Sequence, residues 1–259
     1  MDLESLRGKK GFICDMDGVL YHGDRLLPGV NQFVDWLKTK GKKFLFLTNS
    51  SERSPRELKE KLDRLGIQVD ASHFYTSALA TASFLASQRP NGSAYVIGEA
   101  GLINALYDAG FSMNEVNPDY VVVGETHSYS YEKIAKAVNL VRAGARLIGT
   151  NPDLTDSMGK DVVPATGSLI SPIELATGKK AYFLGKPNPL MMRHARKMLE
   201  CSREETAIVG DRMETDIISG IHSGMDTVLV LSGVTSREDL KNYAYQPRYI
   251  LSGVGEIAG

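Results

Sequence analysis

An apolar run, Phe12-Ile13-Cys14, stops abruptly in Asp15-Met16-Asp17-Gly18. A short apolar run bounded by a turn signal reads as a strand buried on both faces. The two carboxylates then sit at its carboxyl end, where open α/β sheets bind ligands. Acidic side chains so close together repel, so they are solvated, share a proton or hold a cation. Taken alone, a solvated turn accounts for them equally well, because Asp and Gly are ordinary turn residues. An EF-hand does not fit, since the glycine comes too early and a strand leads in where a helix should.

Further along, the same pattern recurs. Lys43 to Leu47 reads as a buried strand ending in Thr48-Asn49-Ser50-Ser51, and Thr206 to Val209 as another ending in Gly210-Asp211, with Asp216 opening a helix that Gly224 closes. Tyr182-Phe183-Leu184 resumes the strand pattern just before Lys186. Between these elements lie helical periodicities, among them Val30 to Lys40 and a helix opened by the capping box Ser54-Pro55-Arg56-Glu57. The segment Tyr21 to Leu27 reads as irregular, and Tyr249-Ile250 as an edge strand. From Pro90-Asn91-Gly92 a fresh strand and helix series begins. The chain therefore divides into a first core part at 1–82, an inserted α/β domain at 83–180 and a second core part at 181–259.

With 259 residues the chain can bury a sizeable core. A formal net charge of -1, from 30 basic and 31 acidic residues, leaves no electrostatic footprint for a nucleic-acid polymer or an anionic membrane. No apolar stretch approaches the roughly 18 residues of a membrane span, and Met1 to Lys10 lacks a signal-peptide core, so a cytoplasmic location is expected. Cys14 and Cys201 lie far apart without a CxxC, which indicates neither a disulfide framework nor a structural zinc site. None of His22, His73, His127, His194 and His222 forms a metal-ligand pair at helical spacing, so they read as structural or surface residues. Gly98-Glu99-Ala100-Gly101 is not a dinucleotide fingerprint. The sequence leaves the oligomeric state open, a homo-oligomer included.

A parallel sheet would bring Asp15, Asp17, Thr48, Asn49, Lys186, Asp211 and Asp216 together along one edge. Each has an ordinary explanation alone: Thr48 as a strand-end cap, Lys186 as a surface lysine, Asp211 and Asp216 as helix-start residues. Together they supply acids for a cation, a hydroxyl and an amide for oxyanions, and a lysine for charge, which is what a phosphate site needs.

On these residues the chain resembles the haloacid dehalogenase-like (HAD) superfamily, through Asp-x-Asp-Gly at Asp15 to Gly18, Thr48 after an apolar strand, Lys186, and Gly-Asp-x-x-x-x-Asp at Gly210 to Asp216. It is most similar to the NagD-type phosphatases, through Val123-Gly124-Glu125-Thr126, Gly149-Thr150-Asn151-Pro152-Asp153 and Gly185-Lys186-Pro187-Asn188-Pro189. The resemblance implies a Rossmann-like parallel-sheet core with an inserted α/β cap. It implies Asp15 as nucleophile and Asp17 as general acid and base. It further implies phosphate binding by Thr48, Asn49 and Lys186, and Mg²⁺ held by Asp15, the backbone carbonyl of Asp17 and Asp211, with Asp216 in support. A carboxylate approaching a phosphate dianion meets repulsion of about 4 kcal/mol per charge pair at about 4 Å and an effective dielectric of about 20, so a cation is required.

Asp17 argues against a dehalogenase, and the interval from Gly18 to Thr48 is too short for a phosphomutase cap. Hydrolysis of a small phosphate ester is then expected, and the resemblance implies a nucleoside monophosphate such as UMP first, with a sugar phosphate or p-nitrophenyl phosphate as the alternative. A non-catalytic sensor of a phosphometabolite is the rival from another class. Leaving-group selectivity is expected from the cap loops, at Asn151, Asp153, Thr166 and Ser168. Turn chemistry accounts for those loops nearly as well.

Overall fold

The computed structural model of the chain describes residues 3–158 and 161–259. The chain forms two compact units. The first takes the chain up to Thr48 together with Leu58–Tyr75 and Lys186–Gly259; the second takes Asn49–Glu57 and Thr76–Gly185.

The first unit is built on a six-stranded sheet, in the order Tyr249–Leu251, Asp226–Val230, Thr206–Gly210, Gly11–Cys14, Lys43–Thr48 and Phe74–Thr76. The central strands are apolar runs buried along their length, as expected of parallel strands covered on both faces. Their register decides where the polar ends fall. Cys14 lies level with Val209 on one side and Phe46 on the other. Asp15 therefore emerges beside Gly210 and Leu47, and the three strands release Asp15, Asp211 and Thr48 within a residue or two of one another. The helix Val30–Thr39 buries Val30, Phe33, Val34 and Leu37 at helical spacing. Phe12 meets the rings of Phe33 and Trp36 edge-on, with centroids 6.4 and 5.5 Å away.

The second unit carries a five-stranded parallel sheet, in the order Tyr182–Phe183, Arg146–Gly149, Tyr120–Val123, Ser93–Ile97 and Ser112–Met113. Its core gathers Ile97, Val121, Val123, Leu147, Ile170 and Ile173. The helix Thr166–Thr177 ends at Gly178 in the left-handed conformation. The capping box at Ser54 is formed: the Ser54 N–H donates to Glu57 Oε2 at 2.8 Å and the Glu57 N–H to Ser54 Oγ at 3.4 Å.

Three readings of the sequence change. Tyr182–Phe183 does not continue the first sheet; it pairs with Ile148 and Gly149 in the second. Phe183 packs its ring over Gly149, where any side chain would collide with it. A two-residue strand carries no periodicity that could show this. Tyr21 to Leu27, read as irregular, contains an antiparallel pair, Tyr21–His22 with Arg25–Leu26. A second such pair, Thr155–Met158 with Asp161–Pro164, lies where the sequence showed only polar loops. The insertion read at 83–180 compares with a compact unit made of Asn49–Glu57 and Thr76–Gly185, in which the Thr76 side chain caps the helix Ser77–Gln88. Among the described residues no helix is long and apolar enough to cross a membrane.

Phe12 is wholly buried at the centre of its sheet. Phe12→Ala is expected to lower stability by about 3–5 kcal/mol, measured as a fall in the urea midpoint. A loss below about 1 kcal/mol would mean that the aromatic group does not hold the helix to the sheet.

Candidate active site

Lys186 is the organising side chain. It is buried, and its Nζ lies 2.8 Å from Asp15 Oδ1 and 2.6 Å from Asp216 Oδ1. Asp15 arrives at the end of Gly11–Cys14, and its own N–H is held by Val209 O at 2.8 Å. Asp216 lies on the single π-helical turn Met213–Ile217, and its Oδ2 accepts the Arg212 N–H at 3.1 Å. Asp211 follows Thr206–Gly210, and its Oδ2 accepts the Val234 N–H at 2.7 Å.

Asp15, Asp211 and Asp216 each offer an oxygen within 4.8 Å of the others. Asp211 Oδ1 is buried and has no hydrogen-bond partner. A buried carboxylate oxygen left so is costly unless something positive is meant to meet it. Together with the two neighbouring carboxylates, it makes an all-oxygen donor set that suits a hard divalent cation. The chain turns tightly to allow this. Gly18 has φ +75°, and a Cβ there would stand 2.5 Å from Asp211 Oδ2.

Protonation follows from the crowding. Burial pushes the Asp15 carboxyl up to about 8; Lys186 pulls against the shift, while Asp216 and Asp211 add to it. Burial, then the charge of Asp216, lifts Asp211 to about 6. Burial pulls Lys186 down, but the charges of Asp15 and Asp216 outweigh it and hold the ammonium above its ordinary range.

Asp17 differs from the other three. Its side chain is 60% exposed, and its Oδ1 lies 3.5 Å from His22 Nδ1. Thr48 ends the strand Lys43–Thr48. Asn49, the next residue, counts with the second unit: its Nδ2 donates to Asp153 Oδ2 at 2.9 Å, and its carbonyl accepts Asn151 Nδ2 at 2.8 Å.

The four residues expected to face a leaving group fall into two kinds. Asn151 and Thr166 are fully buried. Asn151 Nδ2 also reaches Glu125 Oε1 at 2.5 Å, its Oδ1 accepts the Asp153 N–H at 3.1 Å, and Thr166 Oγ1 is 3.2 Å from Thr150 Oγ1. These side chains serve the interior of their own unit. Asp153 and Ser168 retain partial exposure, Ser168 donating to the Leu154 carbonyl at 2.5 Å.

Glu125, quoted above only as part of a motif, proves to be the hub of that interior. It is buried, and its Oε2 accepts both the Ser51 N–H, at 2.9 Å, and the Ser51 hydroxyl. Burial raises its carboxyl against the pull of these hydrogen bonds and that of Asn151. The available signal was the same as at Asp15: an apolar strand, Tyr120–Val123, running through Gly124 into a carboxylate.

The chain is similar to known proteins over nearly its full length. A family model described as haloacid dehalogenase-like hydrolase matches residues 12–112, and one described as HAD-hydrolase-like matches residues 183–257. The ribonucleotide monophosphatase NagD of Escherichia coli K12 is 43% identical over 248 residues, 96% of this chain and 98% of that protein. The solved structure of that NagD aligns with a TM-score of 0.90 at 43% identity, covering 96% of this chain and 98% of that one. A dihydroxyacetone phosphatase of Corynebacterium glutamicum is 42% identical over 247 residues, 95% of this chain and 90% of that protein. A 4-nitrophenylphosphatase structure from Thermotoga maritima aligns with a TM-score of 0.94 at 35% identity, covering 98% of each chain. With the acidic strand ends in place and relatives matching over nearly its full length, the chain belongs to the haloacid dehalogenase-like hydrolases, as a phosphatase of the NagD type.

Proposed function

We propose that this phosphatase hydrolyses small phosphomonoesters through an aspartyl-phosphate in a Mg²⁺-dependent reaction, with nucleoside monophosphates such as UMP as its first substrates and sugar phosphates or p-nitrophenyl phosphate as the alternative. The observation that carries the reading is the contact of Lys186 with Asp15 beside two further buried carboxylates. It gives the strand-end carboxylate a fixed orientation and a cation next to where phosphate oxygens would lie. The name of the ribonucleotide monophosphatase favours a nucleotide; the names of the other two relatives keep the alternatives open.

In this reading an Asp15 oxygen attacks phosphorus, and the bond from phosphorus to the leaving oxygen breaks as Asp17 gives that oxygen its proton. Asp17 then takes a proton from water, which attacks the same phosphorus and releases Asp15 and inorganic phosphate. The half-exposed position of Asp17 suits a group that must meet both leaving oxygen and water. Thr48, Asn49 and Lys186 hold the non-bridging oxygens. Asp15, the Asp17 carbonyl and Asp211, supported by Asp216, would hold Mg²⁺. When bound, the ion supplies the positive charge that offsets repulsion between carboxylate and phosphate. For selectivity, Asp153 and Ser168 are the assigned side chains; Asn151 and Thr166 act by holding the loops that carry them.

Asp15→Asn is expected to abolish phosphate release from p-nitrophenyl phosphate while the protein stays folded, and Asp17→Asn to slow it by roughly 10²- to 10⁴-fold. Folded Asp15→Asn protein that still turns over would sink the nucleophile assignment. A wild-type protein that bound phosphate esters without releasing phosphate would establish the sensor instead.

The raised carboxyl groups give a pH signature. Between about pH 4, where unfolded carboxyls ionise, and about 8, where Asp15 does, the folded metal-free chain binds more protons than the unfolded one, so stability falls as pH rises. Melting temperature in chelator should therefore drop from pH 5 to pH 8. Added Mg²⁺ should raise it more at pH 8, where fewer protons must be displaced. A flat profile in chelator would contradict the proton uptake.

Asp153→Ala or Ser168→Ala should change the kcat/KM ratio between UMP and p-nitrophenyl phosphate by about tenfold, the scale of one lost hydrogen bond. An unchanged ratio would move selectivity away from these loops.

A further inference from the structure

His22 stands at the end of the short strand Tyr21–His22, beside Asp17. Both of its ring nitrogens have neighbours. Nε2 lies 2.7 Å from the carbonyl oxygen of Ser232, and Nδ1 lies 3.5 Å from Asp17 Oδ1. A carbonyl oxygen only accepts, so Nε2 carries the hydrogen. The neutral ring then presents a lone pair at Nδ1, which makes it an acceptor for the carboxyl of Asp17 when that group bears its proton. The separation is long for a hydrogen bond, as bonds between catalytic groups often are before a substrate closes them up.

The ring is anchored at its far side. Ser232, whose carbonyl takes the Nε2 hydrogen, also donates its hydroxyl to the Gly18 carbonyl at 2.8 Å, and the Gly18 N–H donates to Tyr21 O at 2.9 Å. Two residues on, Val234 donates its N–H to Asp211 at 2.7 Å. One loop thus holds His22, the residue after Asp17 and a carboxylate of the acidic cluster.

We propose that His22 is a positioning residue for Asp17: clamped through Nε2 onto Ser232, it holds the Asp17 carboxyl in the rotamer from which a proton reaches the leaving oxygen. The inference rests on the phosphatase reading above and adds to it. An exposed carboxyl otherwise spreads over several staggered rotamers, and proton delivery is sensitive to displacements of an ångström.

The test compares two leaving groups. p-Nitrophenolate departs as a stabilised anion, whereas the alkoxide of glycerol phosphate needs a proton. The value of kcat/KM reports steps up to formation of the aspartyl-phosphate, so it isolates this difference. His22→Ala should lower kcat/KM for glycerol phosphate about tenfold and for p-nitrophenyl phosphate less than about twofold. His22→Asn, which can place its side-chain oxygen where Nδ1 stands, should recover most of the loss; His22→Gln should not. Equal losses on both substrates, or no loss on either, would overturn the proposal, since a merely structural role cannot distinguish leaving groups. If the wild-type protein released no phosphate from either substrate, the phosphatase reading would fall and this inference with it. Wild-type activity with an unaltered substrate ratio in His22→Asn and His22→Ala removes His22 alone.

Discussion

The contact of Lys186 with Asp15 and Asp216 is what the rest of the first unit is arranged to permit. Asp15, Asp211 and Asp216 gathered in a buried place carry more negative charge than one ammonium can balance. Breaking such a buried pair from one side commonly costs about 3–5 kcal/mol, because the remaining charge stays behind uncompensated. The lysine therefore cannot be spared. The excess negative charge, on an all-oxygen donor set, suits a divalent cation. Stability has been given up locally in exchange for a site that is assembled before any ligand arrives.

Much of this was legible in the sequence because parallel strands convert order into position. Asp15, Thr48 and Asp211 each follow an apolar run of strand length, and runs of that kind end at the same edge of a sheet. What could not be read was the partner of a strand too short to have a period. Tyr182-Phe183 looked like a return to the first sheet and belongs to the second; Lys186 reaches its place from that strand's end. Asn151 and Thr166, in polar loops suited to hydrogen-bonding a leaving group, are both buried and engaged, since polarity in a loop does not reveal which way a side chain turns. The spacing that argues against His22 as a metal ligand says nothing about its contact with Asp17, five residues earlier in the chain.

The second unit repeats the device in another register. Tyr120–Val123 also runs into a carboxylate, Glu125, but there the surrounding groups are neutral donors, Ser51 and Asn151, in place of a lysine. Neutral donors satisfy a carboxylate without setting up a field for an anionic ligand. Asn49, which immediately follows Thr48 in the chain, joins this network through its carbonyl, which accepts Asn151 Nδ2, while its side-chain amide donates to the Asp153 carboxylate. Two strand-end carboxylates with the same local sequence logic thus sit in opposite surroundings, one against an ammonium and one among neutral donors.

The step from Gly185 to Lys186 has a consequence for how such a chain can drift over generations. The second unit ends at Gly185 and the first resumes at Lys186. At Gly185 a side chain would run into Asn49 and Thr150, and its N–H is already committed to the Thr150 carbonyl at 2.7 Å. No slack exists on the near side of the lysine. Surface turns such as those at Gly41 and Gly144, where a side chain would meet only open space, can gain or lose residues with little effect. A single insertion at the joint would carry the ammonium away from both aspartates. Length variation among descendants of this sequence should accumulate in the outer turns and stay absent at this one peptide bond.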